Sequence, residues 1–188
     1  MNLILASASP RRQELLGRFG VPFIIDPASG PETPPAGASP EETVMALAAA
    51  KAAETAARHP GDLIIGADTV VALDGAILGK PADASDAFRM LRALSGRDHR
   101  VCTGVALRRN GELLCQAETT HVFFRPLTDR EIRAYIASGE PMDKAGAYGY
   151  QGLASLFVER IEGDFFNVVG LPLCRLGRML ETMGVTLL

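Results

Sequence analysis

Asn110-Gly111 separates two long runs, His99 to Arg109 and Glu112 to Arg125, in which apolar and polar residues alternate. An Asn-Gly pair readily takes the positive φ angles of a tight two-residue turn whose twist keeps its flanking strands paired. The chain is therefore predicted to contain two long antiparallel strands, which rules out a fold made only of parallel βαβ units. Asp74-Gly75 predicts a second hairpin, returning through Ala76 to Leu78 before Gly79-Lys80-Pro81 leaves the sheet.

Helices are marked by their caps. Ser39-Pro40-Glu41-Glu42 and Thr128 to Glu131 are capping boxes, predicting helices that run to about Arg58 and Ser138-Gly139. Ala84 to Ser95 reads as a helix closed by Gly96, and Leu173 to Met183 as a C-terminal one. Leu3 to Ala6, Val21 to Ile25 and Leu63 to Ala67 read as short strands, the last ending at Asp68-Thr69. Leu153 to Ile161 and Phe165 to Val169 read as a final hairpin. Pro27 to Ala38 and Pro141 to Gly152 are Pro- and Gly-rich loops. The expected architecture is a mixed α/β sheet flanked by helices, in one domain over residues 1–188.

The 22 acidic residues against 19 Lys and Arg leave no broad basic footprint for nucleic acid. No apolar run approaches a membrane span, and no basic leader precedes Leu3, so a cytoplasmic protein is expected. Three scattered cysteines, Cys102, Cys115 and Cys174, are expected to be reduced and mostly buried. His59, His99 and His121 lie in no zinc-binding frame. No P-loop, G-x-G-x-x-G or G-x-S-x-G fingerprint is present, which removes the main support for Walker-type, Rossmann and serine-hydrolase readings.

Ser7-Ala8-Ser9-Pro10-Arg11-Arg12 follows the first strand and opens a helix, with Ser9 placed as N-cap and Pro10 at the first helical position. Two arginines there oppose the partial positive charge of the helix terminus. The stretch is either a capped helix with solvated arginines or an anion site built from hydroxyls, N–H groups and guanidinium forks. Sixteen of the nineteen basic residues are arginine, so Lys51, Lys80 and Lys144 stand out as places for a compact ammonium. Lys51 falls on the apolar stripe of Val44, Leu47 and Thr55, where a snorkelling stem is the ordinary alternative. Asp68 interrupts an apolar run; it either caps local N–H groups or does chemistry. Glu32 is the one acid of the first loop, either solvated or a ligand. Together with Arg11, Arg12 and the lysines, these carboxylates suit phosphoryl hydrolysis with a hard cation such as Mg²⁺ or Mn²⁺.

Six colinear blocks carry a resemblance: LILASASPRR at Leu3 to Arg12, GADTVV at Gly66 to Val71, LGKP at Leu78 to Pro81, LSG at Leu94 to Gly96, DKAGAYGYQG at Asp143 to Gly152 and VVGLP at Val168 to Pro172. In this order they resemble the Maf family of nucleotide pyrophosphatases. The resemblance implies an elongated, largely antiparallel α/β fold with a central cleft, often in a homodimer. It also implies hydrolysis of nucleoside triphosphates between the α and β phosphates with a divalent metal. Carried over by position, Asp68 is the proton acceptor and a metal ligand with Glu32. Ser7, Arg12, Lys51 and Lys80 bind phosphate, and Arg11, Thr69 and Gln151 govern substrate choice. The Asp143 to Gly146 form followed by Gln151 is similar to the branch acting on dTTP and UTP, with modified pyrimidine nucleotides as further candidates. Tyr150 departs from the aliphatic residue usual there. The family's link to septum formation supplies the alternative of a nucleotide-binding regulator acting through partners.

Overall fold

Eleven residues, Leu63–Leu73, form one unbroken strand about which the rest of the sheet is laid. In this computed structural model, which describes residues 1–187, the chain runs β1 (Leu3–Leu5), α1 (Pro10–Gly17), β2 (Ile24–Ile25), α2 (Pro40–Ala56), β3 (Leu63–Leu73) and β4 (Ala76–Leu78). It continues through α3 (Ala84–Leu94), β5 (Asp98–Arg109), β6 (Glu112–Phe124), α4 (Asp129–Ala137), β7 (Val158–Glu162), α5 (Phe165–Val169) and α6 (Leu173–Thr182). Short 3₁₀ turns occupy Glu140–Asp143, Ala145–Ala147 and Leu153–Leu156.

The seven strands are ordered β2-β1-β3-β5-β6-β7, with β4 also beside β3. β1 runs parallel to β2 and β3, and every other pairing is antiparallel. The expected mixed, largely antiparallel sheet flanked by helices is thus what forms. The predicted Asn110-Gly111 and Asp74-Gly75 turns are both present, with Asn110 and Asp74 at positive φ. Both capping boxes close as expected, each hydroxyl accepting from the N3 N–H while the N3 glutamate reaches back.

Three local expectations fail. Asp68 does not end a strand; β3 continues through it because β5 pairs with the strand from Ile64 to Ala72. Phe165–Val169 is a helix rather than a returning strand. The Asp164 carboxylate caps the Phe166 N–H at 2.7 Å and Gly170, at φ 118°, closes the far end. A five-residue apolar run cannot distinguish the two conformations by period, and here the caps decide. Leu153–Leu156 is likewise a 3₁₀ turn, so β7 starts only at Val158. Of the cysteines, Cys102 is buried but Cys174 is exposed.

Each face of the sheet has its own core. Leu3, Leu5, Leu63, Ile65 and Leu107 pack with Leu15 and Leu16 of α1 and Leu176, Met179 and Leu180 of α6. On the opposite face, Ile4, Ile64 and Ala106 meet Ala48 and Ala52 of α2. That helix lies on bare backbone: a Cβ at Gly66 would stand 2.2 Å from the Ala48 carbonyl oxygen, and one at Gly104 2.3 Å from that of Val44. Toward the far end, Leu91, Leu94, Phe124, Ile132, Tyr135, Tyr148 and Phe157 form a third cluster under the 140–157 segment.

Candidate functional site

One edge of β3 pairs with β5 almost throughout, but the other is covered by β1 only as far as Ile65 and by β4 only from Val71. Gly66 to Val70 is thereby left as a notch in the sheet. Backbone groups at such a gap need partners from elsewhere. Alternation along the strand sends Asp68 toward the α2 face and Thr69 toward the α1 and α5 face. Groups from both sides of the sheet therefore meet at one opening.

Arg12 supplies the first set of partners. Its Nη1 donates to the Ala67 carbonyl at 3.0 Å and to Ser7 Oγ at 3.2 Å. Its Nε donates to the Gly170 carbonyl at 2.9 Å, and Nη2 to Thr69 Oγ1 at 3.0 Å. A guanidinium carries five N–H donors, so four are engaged within the protein and the fork is fixed before any ligand arrives. Burial pushes the Arg12 pKa down, partly offset by the nearby Asp68 carboxylate. In the opening helix Arg12 is thus turned into the protein rather than solvated. Ser9 occupies the N-cap position but makes no side-chain cap. The buried Ser7 hydroxyl instead accepts the Ser9 N–H at 3.3 Å, along with Arg12.

Lys51 supplies the second set. Its ammonium lies 2.6 Å from Asp68 Oδ1 and 2.7 Å from Glu32 Oε1. The stem follows the apolar stripe as expected, but the charge turns inward onto two carboxylates instead of snorkelling to water. The Lys51 hydrogen bond holds the Glu32 carboxyl below its usual range, with Lys80 and Arg12 adding smaller attractions. That influence also locates Lys80, which is exposed just beyond β4.

The loop bearing Glu32 is tied to the helix bearing Lys51. Glu54, one turn beyond Lys51, accepts the N–H groups of Ser29 at 2.8 Å and Gly30 at 2.9 Å. Arg58 Nε and His59 Nε2 both reach Asp26 Oδ2, at 2.9 Å and 2.7 Å. Lys51 takes one oxygen of each carboxylate, so Asp68 Oδ2 and Glu32 Oε2 are the oxygens that would suit a hard divalent ion whose remaining coordination is water. Among the described residues no group of three or more His, Cys, Asp or Glu could form an all-protein cage.

Not every expected residue joins this centre. Arg11 is partly exposed, and its charge is a minor influence lowering the Asp143 carboxyl in the 140–157 segment, after the Lys144 hydrogen bond. Gln151 is exposed on that segment. Lys144 does not enter the notch but holds its own loop, donating to the Glu140 carbonyl and Asp143 Oδ1, both at 2.6 Å. Thr69, by contrast, is tied into the protein. Its Oγ1 lies 2.9 Å from Thr103 Oγ1, which donates to the Asn167 main-chain carbonyl at 2.9 Å. The Asn167 side chain, wholly buried, donates to the Val101 carbonyl and to Thr120 Oγ1, both at 2.9 Å. Sequence reasoning missed Glu54, Thr103, Asn167 and Gly170. A lone Asn within Phe165-Phe166-Asn167-Val168-Val169 was the available signal, since a buried amide demands partners.

Comparison with known proteins gives the family and the fold. The family described as "Maf-like protein" matches residues 2–183. A dTTP/UTP pyrophosphatase of Geobacter metallireducens is 54% identical over 185 residues, covering 97% of this chain and 96% of the relative. One of Koribacter versatilis is 52% identical over 185 residues, covering 98% and 96%. Among solved structures, a HAM1 protein from Coxiella burnetii shares the fold. Its TM-score is 0.53 at 16% identity, with 97% of this chain and 99% of that one covered. A match this long, with relatives this similar, places the chain in the Maf family.

Proposed function

We propose that this protein hydrolyses dTTP and UTP between the α and β phosphates, giving the nucleoside monophosphate and pyrophosphate. The observation that carries the reading is Lys51 held between Asp68 and Glu32, beside an Arg12 fork already fixed in the same notch. The relatives named dTTP/UTP pyrophosphatases, about half identical over nearly the whole length, support the substrates.

Asp68 and Glu32 would hold a Mg²⁺ or Mn²⁺ ion, which when bound neutralises phosphate charge and makes coordinated water more acidic. Asp68 Oδ1 is taken by Lys51, so Oδ2 would be the oxygen that both faces that ion and, through its remaining lone pair, accepts the proton of the attacking water. The water oxygen bonds to the α-phosphorus, the α–β bridging bond breaks, and pyrophosphate departs. Lys51 has a third N–H beyond its two carboxylates, and Arg12 a fifth beyond its four internal bonds; both can be spent on phosphate oxygens. Ser7 Oγ accepts twice and keeps its own proton for a ligand oxygen. Lys80 adds a mobile ammonium at the rim. Arg11 and Gln151 lie on the side of the 140–157 segment, where they would meet the nucleoside. The same reading places the enzyme in the cytoplasm as a homodimer, on the family resemblance; no described helix is long and apolar enough to cross a membrane.

The test is incubation of the purified protein with dTTP or UTP and Mg²⁺ or Mn²⁺. Equimolar monophosphate and pyrophosphate are expected. Release of orthophosphate alone would overturn the assignment of the bond.

A further inference from the structure

Three of the four acceptors that hold the Arg12 fork, Ser7 Oγ, the Ala67 carbonyl and Thr69 Oγ1, stand on β3 or just beyond β1. The fourth, the Gly170 carbonyl that accepts from Arg12 Nε, arrives at the end of α5. A helix of five residues does not hold itself in water, so its place is set by whatever anchors it. Buried Val169 gives it depth, but apolar contact has no direction. Asn167 supplies the direction. The atom facing the Val101 carbonyl must be a donor, so the amide nitrogen lies there at 2.9 Å, and it also donates to Thr120 Oγ1 at 2.9 Å. Thr120 in turn donates to the carbonyl of Asp164, the N-cap of α5, at 2.9 Å. The Asn167 carbonyl accepts from Thr103 Oγ1 at 2.9 Å and from the Gly170 N–H at 3.0 Å. One residue thus grips β5 and β6 on one side and carries Gly170 on the other.

We propose that Asn167 is a positioning residue for Arg12: by tying α5 to the sheet it fixes the Gly170 carbonyl, and through it the orientation of the guanidinium. A guanidinium is planar and rigid, so a bond at Nε as well as at both Nη nitrogens sets its plane as well as its place. The one N–H left over, on Nη2, is then aimed before a phosphate arrives. Without the Gly170 carbonyl the fork keeps its charge and loses its aim, and binding must supply the ordering instead. Asn167 is wholly buried and meets no substrate itself, so it acts only through Arg12. The inference rests on the reaction proposed above, in which the free N–H of Arg12 meets a phosphate oxygen.

The experiment is a double-mutant cycle of wild type, Asn167→Ala, Arg12→Lys and the pair, with folding checked by circular dichroism and thermal melting. For each protein, kcat/KM for UTP and the calorimetric affinity for pyrophosphate are measured with Mg²⁺. Asn167→Ala should lower both by about tenfold, because both depend on the fork. In the Arg12→Lys background, where no Nε reaches Gly170, the same substitution should cost less than about twofold. Equal fold losses in the two backgrounds would mark a loss of structure that does not pass through Arg12 and would overturn the proposal. Unchanged values in folded Asn167→Ala would overturn it too. Should Asn167→Ala fail to fold, Thr120→Val removes one anchor of the amide while leaving α5 unaltered; it takes the same place in the cycle and must meet the same criteria. A wild type that releases no pyrophosphate from UTP would instead refute the reaction itself, and the pyrophosphate affinities, which need no turnover, then decide the cycle alone.

Discussion

In the notch beside Gly66 to Val70 each charged group is positioned by another polar group: Arg12 by two carbonyls and two hydroxyls, Lys51 by two carboxylates, the Glu32 loop by Glu54. Beneath the 140–157 segment the positioning is done by rings. His99, Phe124 and Tyr148 meet edge to face at 4.9–5.3 Å, Phe157 stands 5.1 Å from Tyr135, and a 2.7 Å hydrogen bond joins His99 Nε2 and Tyr148 Oη. The first arrangement fixes direction with few carbon contacts; the second fixes volume with few polar ones. The two touch where the Gly146 N–H donates to the Gly79 carbonyl at 3.0 Å, so the ring cluster steadies the strand end that carries Lys80. Removing a group from the notch should therefore change chemistry and spare the fold, while removing one from the ring cluster should do the reverse.

The sharpest break in that contrast is Asp68→Asn. It removes the proposed proton acceptor but keeps the shape, so turnover should fall by about 10³-fold, within the usual range for a general base, with an unchanged melting temperature. Pyrophosphate release at wild-type rates would take Asp68 out of the mechanism. The counterpart in the ring cluster is Phe157→Ala, which should destabilise the protein by about 3–5 kcal/mol in denaturant titration through the cavity it leaves. The kcat of its folded fraction should stay near the wild-type value. If kcat collapses with stability barely altered, the division of labour is wrong.

The smallest effect concerns pH. Burial pushes the pKa of His99 down to about 4, against a usual value of 6.5, with Asp98 opposing weakly. The unfolded chain therefore takes up a proton near pH 6.5 that the folded protein refuses until about pH 4. Stability contributed by neutral His99 is complete above the higher value and declines as pH falls through this window, by about 3 kcal/mol in all. His99→Gln lacks the titrating ring, so its stability should fall less between pH 7 and pH 4.5 than that of the wild type. Parallel profiles for the two proteins would show that the buried ring does not drive this loss.

Much of the scaffold was legible because its signals are local. Asn110-Gly111, Asp74-Gly75 and both capping boxes each specify a conformation within four residues, and all four formed. Ser7, Arg12, Lys51 and Asp68, which the fold brings to the notch, stand out in the sequence by type: a hydroxyl, a fork, an ammonium and a carboxylate set where an apolar pattern does not call for them. What stayed hidden depends on register. Nothing near Thr103 reveals that it faces Thr69, since that follows only from the ladder between β3 and β5. Asp68 was read as a strand end because a carboxylate breaks the apolar run, although the strand passes through it. Phe165–Val169 was misread because its caps outweigh its period. Glu54 was invisible for a different reason: its role depends on where an aperiodic loop returns.

Gly104 sits directly across the ladder from Asp68, under a helix that leaves it no space for a side chain. That empty position sets a length. Lysine has a fixed reach, and whether the Lys51 ammonium arrives at the carboxylate depends on how near the helix rides to the sheet. A single methyl group there would act as a shim, lifting the helix and opening the gap between the Asp68 carboxylate and the Lys51 ammonium without altering either. The tolerance of this machinery is thus set by an omitted atom, in a strand that contributes no reactive group of its own.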